Sequence, residues 1–154
     1  MSGMNGLQIA ADLALARRDA ASQVLAQARQ AWLGAQAQLD QLESYAQECT
    51  ARWATQSLNC TPEIMRHHYQ FMARLDHAIG LQIGIAGEHG ARMEREAVAL
   101  RVAEARLESL RQLVLARERE QRVLLGRREQ KTCDEQAANQ YRRRANEALG
   151  GRLQ

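Results

Sequence analysis

Counting from Met65, every seventh residue is apolar: Met65, Met72, Ile79, Ala86, Met93, Leu100, Leu107 and Val114. A period of seven kept over that length paints one continuous stripe along one helix face, and such a stripe must be buried against another helix. A matching pattern runs through the first third of the chain. Leu7, Ala14, Ala21, Ala28, Ala35, Leu42 and Cys49 form one row, and Ala11, Arg18, Leu25, Trp32, Leu39, Ala46 and Trp53 form its companion four residues on. Only Arg18 breaks the apolar character of the two rows. Between the patterned segments lies ATQSLNCTPE, residues 54–63, with the only proline of the chain, Pro62. Two seams separated by one break predict a hairpin whose arms run in opposite directions.

The punctuation agrees. Thr61 is placed to cap a helix, Pro62 sits where a missing N–H costs nothing, and Glu63 faces the positive end of the helix dipole. Few β-branched residues and 4% aromatics argue against sheets and against a thick core. The fold class expected is all-α: one coiled-coil domain over residues 1–154, with helices at about 7–53 and about 62–149 and a turn at 54–61. Asn5-Gly6 reads as the start of the first helix and Gly150-Gly151 as the end of the second. With the bend near residue 58, residues pair when their numbers add to about 116, so Leu7 faces residue 109 or so and the seam stops near residue 115. The second helix then overhangs by about 40 residues, roughly 60 Å, and measures roughly 130 Å in all.

Gly80, Gly84, Gly87 and Gly90 interrupt this second helix, each at about 1 kcal/mol of helix propensity. The same pairing rule places Gly84 across from Trp32, so the glycines are expected either to make room for the indole or to mark a locally loosened helix with no partner role.

Charge is uneven. Residues 1–61 carry 4 bases and 5 acids, residues 62–110 carry 6 and 7, and residues 111–154 carry 11 and 6. The net +3 is therefore supplied by the last segment, the place for an acidic partner. A solvated helix of mixed charge is the alternative for that tail. Nucleic-acid binding would call for a denser basic face and stacking aromatics, and the tail has only Tyr141.

Chemistry is not announced. His67, His68, His77 and His89 lack zinc-ligand spacing on one face, and no GxxxxGK[ST], GxSxG or HExxH occurs. No catalytic residue, cofactor or metal is expected, and a two-helix rod offers no pocket in which to shift a pKa. Three cysteines without a CxxC pair, no leader and no long apolar run point to a reducing, cytoplasmic setting. Asn59-Cys60-Thr61 fits a glycosylation sequon, which has no meaning in that setting.

Two short stripes invite contact. Gln38, Leu42, Tyr45 and Cys49 follow spacing 4, 3, 4, and so do Phe71, Leu75, Ala78 and Gln82. Both lie near the bend and can form one composite patch. Leu42, Cys49 and Leu75 also read as plain seam, whereas Tyr45 and Phe71 stand beside it and are the better candidates for an exposed aromatic contact.

Several of these residues recur in a known pattern. Leu7…Asp12-Leu13-Ala14…Asp19-Ala20-Ala21, Gln38-Leu39…Leu42…Tyr45…Glu48, Tyr69-Gln70-Phe71…Leu75…Ala78-Ile79 and Arg128-Glu129-Gln130-Lys131…Asp134-Glu135…Ala138 resemble the FliJ family of the flagellar type III export apparatus. The resemblance implies an antiparallel coiled coil similar to the stalk of rotary ATPases, without enzymatic activity. It implies insertion of the end bearing the termini into the hexameric export ATPase, FliI, near its regulator FliH. It also implies binding to the cytoplasmic domain of the export gate, FlhA, and to export chaperones, with the protein peripheral to the inner membrane and serving motility and chemotaxis. The gate-binding stripes of the family map onto Gln38, Leu42, Tyr45, Cys49, Phe71, Leu75, Ala78 and Gln82, with departures at Cys49, where an aromatic is usual, and at Gln82. The basic end maps the ATPase contact onto Arg127, Arg128, Lys131, Arg142, Arg143 and Arg144. Nucleic acid and small-molecule substrates are not expected. The alternatives are the equivalent stalk of an injectisome, a basic rod that binds nucleic acid, and a self-associating structural coiled coil.

Overall fold

The computed structural model describes residues 2–152. Helix α1 spans Ser2–Gln56, a 3-10 turn covers Ser57–Asn59, and helix α2 spans Pro62–Arg152. No strand occurs among the described residues, and the two long helices pack against each other as an all-α hairpin, the class the periodicity predicts. Both helices are longer at their outer ends than their sequence signals suggest. Gly3 and Gly6 stay helical, and no glycine adopts positive φ, so Gly150 forms no left-handed cap and α2 runs on to Arg152.

Two compact units divide the chain, one made of Leu13–Leu107 and the other of the residues up to Asp12 and from Glu108 on. In the first, the seam falls where the heptads place it, except that Met65, the first of its row, is exposed. Ala14, Ala28, Ala35, Leu75, Ala86 and Leu107 are buried, and Ala21, Leu25, Trp32, Leu39, Leu42, Ala46, Cys49 and Trp53 are half-buried. Alanine at successive inward positions lets the backbones come close but buries little area per residue. No large side chain is fully buried among the described residues.

The turn is closed by short-range bonds. The Thr61 hydroxyl accepts from the Ile64 N–H at 3.4 Å, the capping geometry expected of it, and the Met65 N–H donates to the Thr61 carbonyl at 3.2 Å. The Cys60 thiol donates to the Gln56 carbonyl at 3.3 Å. Beside the turn, the Trp53 indole stacks on His68 with centroids 3.9 Å apart and planes at 5°, and it meets the edge of Tyr69 at 6.3 Å.

The glycines do not act as the pairing rule suggests. A Cβ on Gly84 meets nothing within 4 Å, and the same holds for Gly80 and Gly87. Gly90 is the residue that receives Trp32: a Cβ there comes within 3.3 Å of the indole Nε1. The reason is directional. Side chains on a helix lean toward its N-terminus, so in an antiparallel pair a long side chain of α1 reaches a higher-numbered part of α2 than the backbone opposite it. Trp53, which finds His68 and Tyr69, is displaced the same way.

Opposite stability effects follow at the two glycines. Gly84→Ala is expected to gain about 1 kcal/mol from helix propensity with no new contact. Gly90→Leu is expected to lose about 1–3 kcal/mol, because the indole must leave its seat. Thermal unfolding followed by circular dichroism compares them directly. A Gly90→Leu protein as stable as Gly84→Ala would show that the Trp32 seat has no energetic weight.

In the second unit, Leu7 and Ala10 are half-buried and Ala11 is buried, as are, in part, Leu110, Val114 and Glu118. Arg117 lies against Gly3, where an added Cβ would stand 3.3 Å from Nη1. From Arg119 to Gly151 every residue is exposed. The apolar row ends at Val114, and burial in this unit ends one turn later, at Glu118.

Candidate partner-binding surfaces

Tyr45 and Phe71 come together across the hairpin of the first unit. Their rings meet edge to face with centroids 6.1 Å apart and planes at 88°. Both remain open to solvent, Tyr45 at 45% and Phe71 at 41%. They flank the seam, where a side chain can lie against its neighbour helix and still show one face. The neighbouring Cys49 side chain raises the pKa of the Tyr45 phenol above its ordinary 10.0.

The other residues of the two stripes are placed unequally. Gln38 is exposed, and Leu42, Cys49 and Ala78 are half-buried. Leu75, at 7% exposure, and Gln82, at 9%, point into the seam. Gln82 is its one buried polar residue among those described, and its amide nitrogen makes two hydrogen bonds. Nε2 donates to the Ala35 carbonyl at 3.0 Å and to Gln38 Oε1 at 3.2 Å. Among the described residues these are the only side-chain hydrogen bonds that cross between the helices. Gln82 thus connects the core of the hairpin to Gln38 on its surface.

Gln82 belongs to a row that the sequence reading did not follow. Three residues on from the Met65 row stand His68, Leu75, Gln82, His89, Glu96, Ala103 and Leu110, all buried or half-buried. Four of the seven are polar, which hides the row from an apolar count; repeating that count at the second seam position would have found it. The same oversight left His68 without a role, although it is the stacking partner of Trp53.

The basic segment lies in the second unit. Arg127, Arg128, Lys131, Arg142, Arg143 and Arg144 are all exposed and make no ion pair among the described residues. Val123, Leu124 and Leu125 are exposed just before them. Side-chain bonds here stay within one turn, from Gln130 Nε2 to Asp134 Oδ1 at 3.1 Å and from the Thr132 hydroxyl to the Arg128 carbonyl at 2.9 Å.

Among the described residues no group of three or more His, Cys, Asp or Glu side chains is arranged to hold a metal ion. Nor is any helix long and apolar enough to cross a membrane. No curated protein and no solved structure matches the chain. A family model described as "Flagellar FliJ protein" does match, over residues 4–146. That range takes in both units, the turn, the aromatic pair and the basic clusters. With nearly the whole chain matched and the helical hairpin in place, the protein belongs to the FliJ family and is a component of flagellar protein export, in the service of motility.

Proposed function

We propose that the chain is a non-enzymatic stalk of the hexameric export ATPase, FliI, and an adaptor that links it to the export gate, FlhA, and to export chaperones. The observation that carries this reading is the helix from Arg119 to Gly151, which is exposed throughout and has no packing partner among the described residues. An isolated helix gains little stability without packing, and this one exposes Val123, Leu124 and Leu125 beside exposed arginines. Another protein with an acidic, partly apolar surface completes it, and the central opening of a ring ATPase is such a place. FliH, as the ATPase regulator, joins the same assembly, which puts the protein in the cytoplasm, peripheral to the inner membrane. The gate contact falls on Tyr45 and Phe71, with Gln38, Leu42, Cys49 and Ala78 around them and Leu75 and Gln82 supporting them from within the seam.

Co-purification with the export ATPase, followed by hydrolysis rates with and without the protein, tests the reading. Complex formation with faster hydrolysis is the expected result. Absence of both would reject the stalk role.

A further inference from the structure

A seam of repeated alanines does not by itself define how far α1 is slid along α2. Moving the helices by one heptad replaces Ala35 by Ala28 in α1 and leaves most rows apolar. Two contacts differ from this repetitive background. The Trp32 indole sits against Gly90, and Gln82 donates to the Ala35 carbonyl and to Gln38.

Together they oppose a slip in either direction. In one, Trp32 moves from Gly90 to Ile83, whose branched side chain fills the seat, and Gln82 exchanges Gln38 for Ala31 and loses an acceptor. In the other, Trp32 moves to Ala97, which it can nearly accept, but Gln82 meets Leu42 in place of Ala35. The leucine side chain then covers the carbonyl that the small alanine leaves open, and a buried amide is left without its partner. A lone buried polar residue is a known way to fix coiled-coil register.

We infer that Trp32–Gly90 and Gln82–Ala35/Gln38 are the two register pins of this hairpin, and that they, more than the apolar seam, bring Tyr45 opposite Phe71. A slip of seven residues in either direction puts Ile64 or Ala78 beside Tyr45 instead. Gln82 and Trp32 are positioning residues in this scheme.

Spin labels on the full chain read the register without any partner. The labels go on Gln27→Cys and Arg74→Cys, both exposed, in a chain carrying Cys49→Ser, Cys60→Ser and Cys133→Ser. These sites are well apart along the axis, so a one-heptad slip changes their separation by roughly 10 Å. The chain with both pins gives one narrow distance by pulsed electron resonance. Trp32→Ala with Gln82→Leu is expected to keep its helicity and show a second distance population, while Trp32→Ala alone keeps a single one, because Gln82 loses a bond in either slip. Should the alanine variant unfold, Trp32→Leu with Gln82→Leu retains apolar volume at both seam sites and carries the same test. A single unshifted distance in a folded double variant overturns the inference.

Discussion

Removing residues 120–154 is expected to abolish binding to the export ATPase and stimulation of its hydrolysis. The deletion takes away Val123, Leu124 and Leu125 together with Arg127, Arg128, Lys131 and Arg142–Arg144, but no buried side chain among the described residues. The helical hairpin of Leu13–Leu107 should therefore remain, with its Tyr45–Phe71 contact in place. Binding by titration calorimetry and turnover in a coupled assay measure the loss. Two charge-reversed chains refine it: Glu at 127, 128 and 131, and Glu at 142, 143 and 144. Each should weaken binding most at low salt, where attraction between exposed charges is least screened. Full stimulation by the truncated chain would remove the ATPase contact from this segment.

The second large effect concerns the aromatic pair. Tyr45→Ala with Phe71→Ala is expected to lower affinity for the gate domain by about 30-fold or more, the scale of losing one interface hot spot of about 2 kcal/mol. Intramolecular cost should be modest, because both rings are half out of the seam and an edge-to-face pair contributes about 0.5–1.5 kcal/mol beyond its area. Leu75→Ala is the informative contrast. That side chain is buried, so its truncation should cost about 2–5 kcal/mol of stability and act on the gate only through the hairpin. Circular dichroism separates the two cases, and unchanged gate affinity in the folded double variant would reject the patch.

The fold was legible because a period of seven is a geometric instruction. Every member of the two α1 rows is buried or half-buried, Arg18 included. Arg18 is tolerated there because its guanidinium turns out to Asp19, 2.9 Å away. The lone proline and its neighbour Thr61 fixed the start of α2 for the same local reason. What did not follow from spacing was the side-chain reach across the seam. Residue numbers pair backbones, whereas Trp32 and Trp53 extend along the axis by more than a turn before they touch anything, so Gly84 was paired with an indole that lies on Gly90. The candidate surfaces were partly legible. Tyr45 and Phe71 stand off the seam in the sequence and are open in the structure, and Leu75 reads as seam and is buried, but a stripe of one residue per turn cannot tell that Gln82 turns inward while Gln38 turns out. Gln82 was hidden further, since a polar residue in a list of contact candidates reads as surface until its amide is seen bonded to a backbone carbonyl.

The thinness of the alanine seam has a thermodynamic corollary. The heat-capacity increment of unfolding scales with the apolar surface released, and a hairpin with no large side chain fully out of water among the described residues releases less than a globule of equal length, below the usual ~12–15 cal/mol/K per residue. Its stability curve is then shallow, with neither a sharp optimum nor a steep fall on cooling or moderate warming. A hairpin built this way keeps nearly the same stability across the range of temperatures at which a motile cell must build its propulsive filament.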